Sequence, residues 1–206
     1  MIGVIDYRAG NAPSVYHALR RIGATASLVR TPEEIEQVDG LILPGVGAAD
    51  ATIVSLEEDN LIDAIYQEVL FKHKPFLGIC VGLQIMFEHS DEDDTPCLGW
   101  LAGEVRQFPK TVRVPQIGYN EVRFLKDHPL VEDMGASDYF YFVNSYYAVP
   151  EDDIVLAEAE YGLPFCAMVA SRNMMASQFH MEKSGQSGLK MLHNYVRIVE
   201  EGIPLC

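Results

Sequence analysis

The sequence is short of positive charge. It carries 15 lysines and arginines against 30 aspartates and glutamates, a formal net charge of −15. Such a field repels phosphate backbones and anionic lipid surfaces, which excludes nucleic-acid binding as a main function. Long hydrophobic runs are missing too. No stretch approaches the roughly 20 apolar residues of a membrane helix. The N-terminus, MIGVIDYRAGN, has no basic segment and too short an apolar run for a secretory signal. The expected location is therefore cytoplasmic. Cysteine is sparse: Cys80, Cys97, Cys166 and Cys206 form no CxxC pair and no Cys/His cluster at zinc-ligand spacing. Neither a disulfide framework nor a metal site is expected. There is no Pro/Gly/Ser-rich linker and no internal repeat. What is there is ordinary globular composition, 49% hydrophobic and 22% charged. The expectation is one domain spanning residues 1–206.

Apolar runs alternate with helical patterns through the first half. Ile2–Ile5, Ala26–Val29, Gly40–Leu43 and Phe76–Ile79 read as short buried strands. Between them, Val15, Leu19 and Ile22 mark a helix over Ser14–Ile22, with Gly23 as its stop. Thr31, Pro32 and Glu34 fit an N-cap, a first-turn proline and a capping-box acid. Asn60 is placed to cap a helix carrying Leu61, Ile65 and Val69, and another helix is expected from Val81 to about His89. Short apolar strands separated by helices predict a mostly parallel sheet covered on both faces. From about Trp100 to Phe179 the pattern turns strand-like, with runs at Val105–Phe108, Val122–Leu125, Tyr139–Val143, Ile154–Glu160, Cys166–Ala170 and Met174–Phe179. Arg172-Asn173 reads as a hairpin turn. Leu189, Leu192, Val196 and Val199 mark a closing helix, with Gly202 past its end. The class is α/β, with a small antiparallel layer added.

One junction carries chemistry. In Phe76-Leu77-Gly78-Ile79-Cys80-Val81-Gly82-Leu83-Gln84 a buried strand runs straight into a helix with the cysteine at the corner. Gly78 and Gly82 flank it at i−2 and i+2, the spacing of a nucleophile elbow. A helix N-terminus favours a thiolate, and the Val81 N–H would point toward an oxyanion. The plainer alternative is a core cysteine closing a strand. A nucleophile needs a base and an orienter. His17, His89 and His193 sit in helical patterns, and His73 and His128 in polar loops. His180 ends a strand and is followed by Met181-Glu182. Alternation along an extended segment would put Glu182 on the same side as His180. The loop Pro44-Gly45-Val46-Gly47 ends the third strand, at the edge where open α/β sheets hold ligands. Its N–H groups could supply a second oxyanion donor. The acidic run Asp91–Asp94 reads on its own as a solvated loop.

These residues together resemble the class I (triad-type) glutamine amidotransferases. DYRAGNAPSVYHAL, LPGVGAAD, FLGICVGLQIMFEHSDE, VPQIGYN, YFVNSYYA and QFHMEKSGQSGLKML narrow the resemblance. Their order and spacing are similar to the family of glutaminase subunits of imidazole glycerol phosphate synthase, over essentially the whole chain. The resemblance implies a flavodoxin-like fold and a cysteinyl-thioester glutaminase without metal or organic cofactor. It makes Cys80 the nucleophile, His180 the acid/base and Glu182 its orienter. Val46, Gly47 and Val81 fall in the oxyanion region, and Gln84, Glu92, Ser145 and Tyr146 in the glutamine pocket. Asn11, Gln116, Asn120, Tyr141 and Lys183 fall where the family meets its partner. That partner is a (β/α)8-barrel cyclase subunit, bound as a heterodimer, which takes the ammonia to make imidazole glycerol phosphate for histidine biosynthesis. Cys97, Cys166 and Cys206 are left as structural or incidental thiols.

Several positions depart from the family's usual residues. Asn11 follows Arg8-Ala9-Gly10 where Gly-x-Gly is frequent, Gln116 and Tyr119 stand where histidine and tryptophan are common, Asn144 replaces a histidine, and Met181 a proline. None removes a member of the Cys80–His180–Glu182 set. The alternatives are the glutaminase of another amidotransferase pathway, or a scaffold subunit without catalysis.

Overall fold

The computed structural model describes residues 1–8 and 10–204; Cys206 lies outside them. The first half is built as its apolar runs dictate. Strand β1 (Ile2–Ile5) leads through helix α1 (Ala12–Arg21) to β2 (Ala26–Val29), then α2 (Pro32–Glu36), β3 (Gly40–Gly45), α3 (Ala49–Glu58) and α4 (Leu61–Tyr66). A π-helical turn over Gln67–Phe71 extends α4 before β4 (Phe76–Cys80). β1, β3 and β4 are buried at every position, as strands covered on both faces must be. Thr31 caps α2 by accepting the Glu34 N–H at 3.3 Å. Gly23 takes up the left-handed φ of 82° that ends α1. Asn60, although at the cap position of α4, makes no side-chain cap bond.

Helix α5 after Cys80 is shorter than the periodicity predicts, ending at Gln84 instead of near His89. The backbone explains this. The Glu88 N–H goes to the Gly103 carbonyl at 3.1 Å and the Asp91 N–H to the Val105 carbonyl at 2.8 Å. The Ile85, Met86 and Phe87 N–H groups still return to α5, and beyond them the donors serve strand partners. His89–Ser90 is thus strand β5, followed by β6 (Thr95–Pro96), β7 (Gly103–Gln107), β8 (Gln116–Phe124), β9 (Ser137–Asn144), β10 (Tyr146–Pro150), β11 (Val155–Glu160), β12 (Pro164–Ser171) and β13 (Met174–Ser177). Helix α6 (Gly185–Glu201) closes the chain's described part, with Gly202 in the left-handed region at its end.

The sheet order is β2-β1-β3-β4-β13-β12-β10-β7-β5-β6, with β11, β8 and β9 branching from β12. The strands from β2 to β13 run parallel, and from β13 onward most pairings are antiparallel. The antiparallel strands therefore continue the sheet and do not form a detached layer. Register fixes the place of the site. Gly45 pairs with Cys80 across β3 and β4, and Ser177 pairs with Ile79 across β13 and β4. The loop after Gly45, the corner at Cys80 and the segment Gln178–Glu182 all leave the sheet at one carboxyl edge.

Candidate active site

Cys80 sits at the corner with φ 57° and ψ −109°, a conformation rarely held by a residue with a side chain. Its neighbours hold it there. A side chain on Gly82 would collide with the Leu43 carbonyl, and one on Gly78 would meet the Gly82 carbonyl at 2.5 Å. The two glycines let β4, α5 and β3 approach closely enough to impose the bend. Cys80 is 5% exposed. Its thiol faces the Val143 carbonyl at 3.9 Å, and it receives an N–H from Gln178 Nε2 at 3.7 Å.

His180 follows β13 and is buried, with Nδ1 2.9 Å from Glu182 Oε1. The pair is made differently from the extended alternation expected. Met181–Lys183 is a 3₁₀ turn. The Lys183 N–H returns to the His180 carbonyl at 3.1 Å, and Ser184 Oγ donates to the same carbonyl at 2.6 Å. The Tyr141 N–H then donates to Ser184 Oγ at 2.9 Å, while the His180 N–H donates to the Tyr141 carbonyl at 2.9 Å. These bonds hold the turn against β9 without the proline usual at position 181. Glu182 Oε1 also accepts from Asn11 Nδ2 at 3.1 Å, and Asn11 Oδ1 accepts from Ser14 Oγ at 2.7 Å. Asn11, read from the motif as a partner-facing residue, is thus also a support of the buried carboxylate.

Electrostatics suit proton transfer. Burial works against a charged His180, but its neighbours Cys80 and Glu182, the latter hydrogen-bonded to its Nδ1, outweigh it and raise its pKa to about 9. An imidazolium stabilised in this way can keep a thiolate beside it and give its proton to a leaving group. Burial pushes Cys97 up to about 11 and Cys166 up to about 12, which leaves those two thiols inert at neutral pH.

A cavity of about 290 Å³ opens over the sulfur. Val46, Gly47, Cys80, Val81, Gln84, Glu92, Ser145, Tyr146, His180 and Lys183 line it, which brings the motif residues of all three groups to one place. Gly47 holds φ 97°, which only glycine adopts without strain. Glu92 leaves the acidic run and turns in, accepting the Ala49 N–H at 2.9 Å. Burial raises the Glu92 carboxyl above its ordinary value, the Ala49 N–H opposes the rise, and Asp93 and Asp50 add to it. A cation arriving there would be welcome. A larger groove of about 950 Å³ lies along residues 124–136 and the end of α6. It holds the paired charges Arg197–Glu132 and Arg197–Glu201 and no cysteine or serine, so size alone does not mark the site. Among the described residues no group of three His, Cys, Asp or Glu could hold a metal ion.

The partner-facing set divides. Tyr141 meets Tyr119 edge to face at 5.6 Å, and the Tyr119 hydroxyl donates to the Lys183 carbonyl at 2.9 Å, beside the cavity mouth. Asn120 Nδ2 is spent on the Glu160 carbonyl at 2.8 Å. Gln116 is not on the surface: it is buried opposite Asn144, and its Oε1 finds no partner among the described residues. The motif reading passes over Gln178, which is fully buried and touches the sulfur. The available signal is its position two residues before His180.

Comparison with known proteins agrees with this geometry. The glutamine amidotransferase class-I family profile matches residues 3–198. The imidazole glycerol phosphate synthase subunit HisH of Dehalococcoides mccartyi is 42% identical over 200 residues, 96% of this chain and 97% of that protein. HisH 2 of Pseudomonas aeruginosa is 41% identical over 97% of this chain and all of that protein. HisH of Methanothermobacter thermautotrophicus is 42% identical over 97% of this chain and 99% of its own. Among solved structures, a glutamine amidotransferase superposes with a TM-score of 0.76 at 22% identity, covering 98% of this chain and 99% of its own. PurLQS from Thermotoga maritima gives 0.74 at 18%, covering 97% of this chain and 98% of its own. The structural matches carry the fold, the sequence matches the subfamily: the chain belongs to the class I glutamine amidotransferases and, within them, to the HisH subunits of imidazole glycerol phosphate synthase.

Proposed function

We propose that this chain is the glutaminase subunit of imidazole glycerol phosphate synthase and that its chemistry runs on Cys80, His180 and Glu182. The observation that carries the reading is the strained Cys80 corner opening with His180 on one cavity, the His180 Nδ1 lying 2.9 Å from Glu182 Oε1. Glutamine enters the cavity with its ammonium group toward Glu92. The Cys80 thiolate attacks the side-chain amide carbon, forming a C–S bond. The oxyanion sits among the backbone N–H groups of Val46–Gly47 and Val81, an effect worth about 3–4 kcal/mol per donor. His180 protonates the amide nitrogen, the C–N bond breaks and ammonia leaves. Neutral His180 then takes a proton from water, which attacks the thioester, and the sulfur departs as thiolate with glutamate as product. Glu182 holds the imidazole in the tautomer that does this.

The ammonia goes to a cyclase subunit, for imidazole ring formation in histidine biosynthesis. The β8–β9 ribbon supports such a partner. Ile117 and Tyr119 on β8 and Tyr139 on β9 are 64%, 58% and 57% exposed on one face of the ribbon, and Val143, which lines the cavity, joins them. A patch of this kind suits a protein interface. We read residues 1–206 as one amidotransferase domain and its location as cytoplasmic; no helix among the described residues is long and apolar enough to cross a membrane.

The test is the complex with Cys80→Ala. Glutamine-dependent ring formation should vanish while added ammonium still supports it. Glutamine-dependent activity retained in that variant would refute the assignment.

A further inference from the structure

Gln178 is a polar side chain with no exposed surface, sitting at the reacting sulfur. The large majority of buried polar side chains are hydrogen-bonded. Its surroundings form a chain of such groups. Gln84 Nε2 donates to the Tyr146 carbonyl at 3.3 Å and to Gln178 Oε1 at 3.0 Å. Gln178 Nε2 in turn reaches Cys80 Sγ at 3.7 Å. Asn144 Nδ2 donates to the same Tyr146 carbonyl at 2.9 Å.

The direction of this chain is not free. A side-chain amide can present either end to a neighbour, but a backbone carbonyl can only accept. The Tyr146 carbonyl therefore turns the nitrogen of Gln84 toward itself. That nitrogen also faces Gln178, so Gln178 must answer with its oxygen. Its nitrogen is then the end left for the sulfur. One fixed carbonyl on the cavity wall thus sets which end of an amide the nucleophile meets. The Gln178 backbone is anchored as well, its N–H donating to the Ala167 carbonyl at 2.9 Å.

We propose that Gln178 is a further catalytic residue, whose amide N–H stabilises the Cys80 sulfur as a thiolate and aims it at the cavity, oriented through Gln84 by the Tyr146 carbonyl. The inference rests on the reading of Cys80 as the nucleophile. A hydrogen bond to a charged acceptor is stronger than one to a neutral acceptor. The Gln178 bond is therefore strongest before attack and again when the thioester breaks and the sulfur leaves. In the thioester itself the sulfur is neutral and the bond is weakest. Attack gains through the larger thiolate fraction, and thioester breakdown gains because the bond strengthens as the sulfur leaves.

The experiment uses the full chain with its cyclase partner and two readouts. The first is alkylation of Cys80 by iodoacetamide at pH 7, followed on the Cys80 peptide by mass spectrometry, which needs no glutamine. The second is kcat and KM for glutamine. Gln178→Met, close in shape and lacking the donor, should slow alkylation and lower kcat by about 10- to 100-fold, with KM changed less than about threefold. Gln178→Glu should fall further, because a carboxylate would face the thiolate. Gln178→Asn keeps a buried amide but loses its reach, and it replaces Gln178→Met if that variant does not fold. Melting curves on each variant identify the folded ones. Alkylation and kcat within twofold of the unmodified chain would overturn the proposal. So would a loss confined to KM, which would place Gln178 in substrate binding alone. Failure of the underlying reading looks different: Cys80 of the unmodified chain would resist a glutamine-analogue electrophile, and Cys80→Ala would keep its glutaminase activity.

Discussion

The two halves of the sheet differ in what they owe to burial. β1, β3 and β4 are covered on both faces, and every residue in them is apolar, glycine, proline or Cys80. β8 and β9 alternate, one side packed on Phe140 and Phe142 and the other open to solvent at Ile117, Tyr119, Tyr139 and Val143. The parallel half positions reacting atoms and tolerates little change. The antiparallel half supplies the cavity rim at Ser145 and Tyr146 and a surface to present to a partner. The proposed chemistry and the proposed partner surface thus lie on regions with different packing, joined at the His180 turn, where Tyr141 of β9 holds the backbone.

Substitutions can break this division or sharpen it. The largest effect should come from Gly82→Val, which drives a side chain into the Leu43 carbonyl inside the parallel half. A loss of about 4 kcal/mol or more is expected, read as a collapse of the denaturant midpoint. A well-folded Gly82→Val protein would mean that the corner is not imposed by close packing. Next, Ile117→Asp with Tyr119→Asp on the open face should weaken cyclase binding by roughly 100-fold while leaving the melting temperature within a few degrees. Titration calorimetry of the pair checks this, and loss of fold would erase the contrast between the halves. Asn11→Ala removes a hydrogen bond to the buried Glu182 and should lower kcat about tenfold, with KM nearly unchanged. A change in KM alone would move Asn11 from the triad to substrate binding. The smallest effect is in pH. His180 is protonated below about 9, so glutamine hydrolysis should hold through neutral pH and fall by up to tenfold per unit above about 9. A limb near 6.5 instead would show that Cys80 and Glu182 do not hold the proton.

The same contrast explains what could be read from residues alone. The buried strands of the first half announce themselves as short apolar runs, and the Cys80 corner as a cysteine between two glycines. Strand β10 does not. Tyr146–Pro150 follows a kink at Ser145 within one long aromatic run, YFVNSYYAV, so no turn residue separates it from β9. The first part of β8, Gln116–Glu121, mixes glycine, polar and aromatic residues and is shaped by its pairing with β9. His180 and Glu182 were legible as a pair, although a 3₁₀ turn and not an extended strand brings them together. Gln178 was not legible, because its role depends on Gln84, 94 residues away in the chain. Gln116 falls in a motif that the family turns toward its partner, while strand alternation buries its side chain here. Spacing finds groups that act through the local chain; it misses those that meet only across the sheet.

The strained corner has a consequence for engineering and for evolution. The bend at Cys80 is set by the close packing of Gly78 and Gly82 around it. Glycine accepts such a backbone freely, whereas any other residue carries a cost of order 1–3 kcal/mol. A Cys80→Gly chain should then melt higher than the native one while turning over no glutamine. If so, the native molecule sits below the stability its own fold could reach, and the difference is held at the residue proposed as the nucleophile.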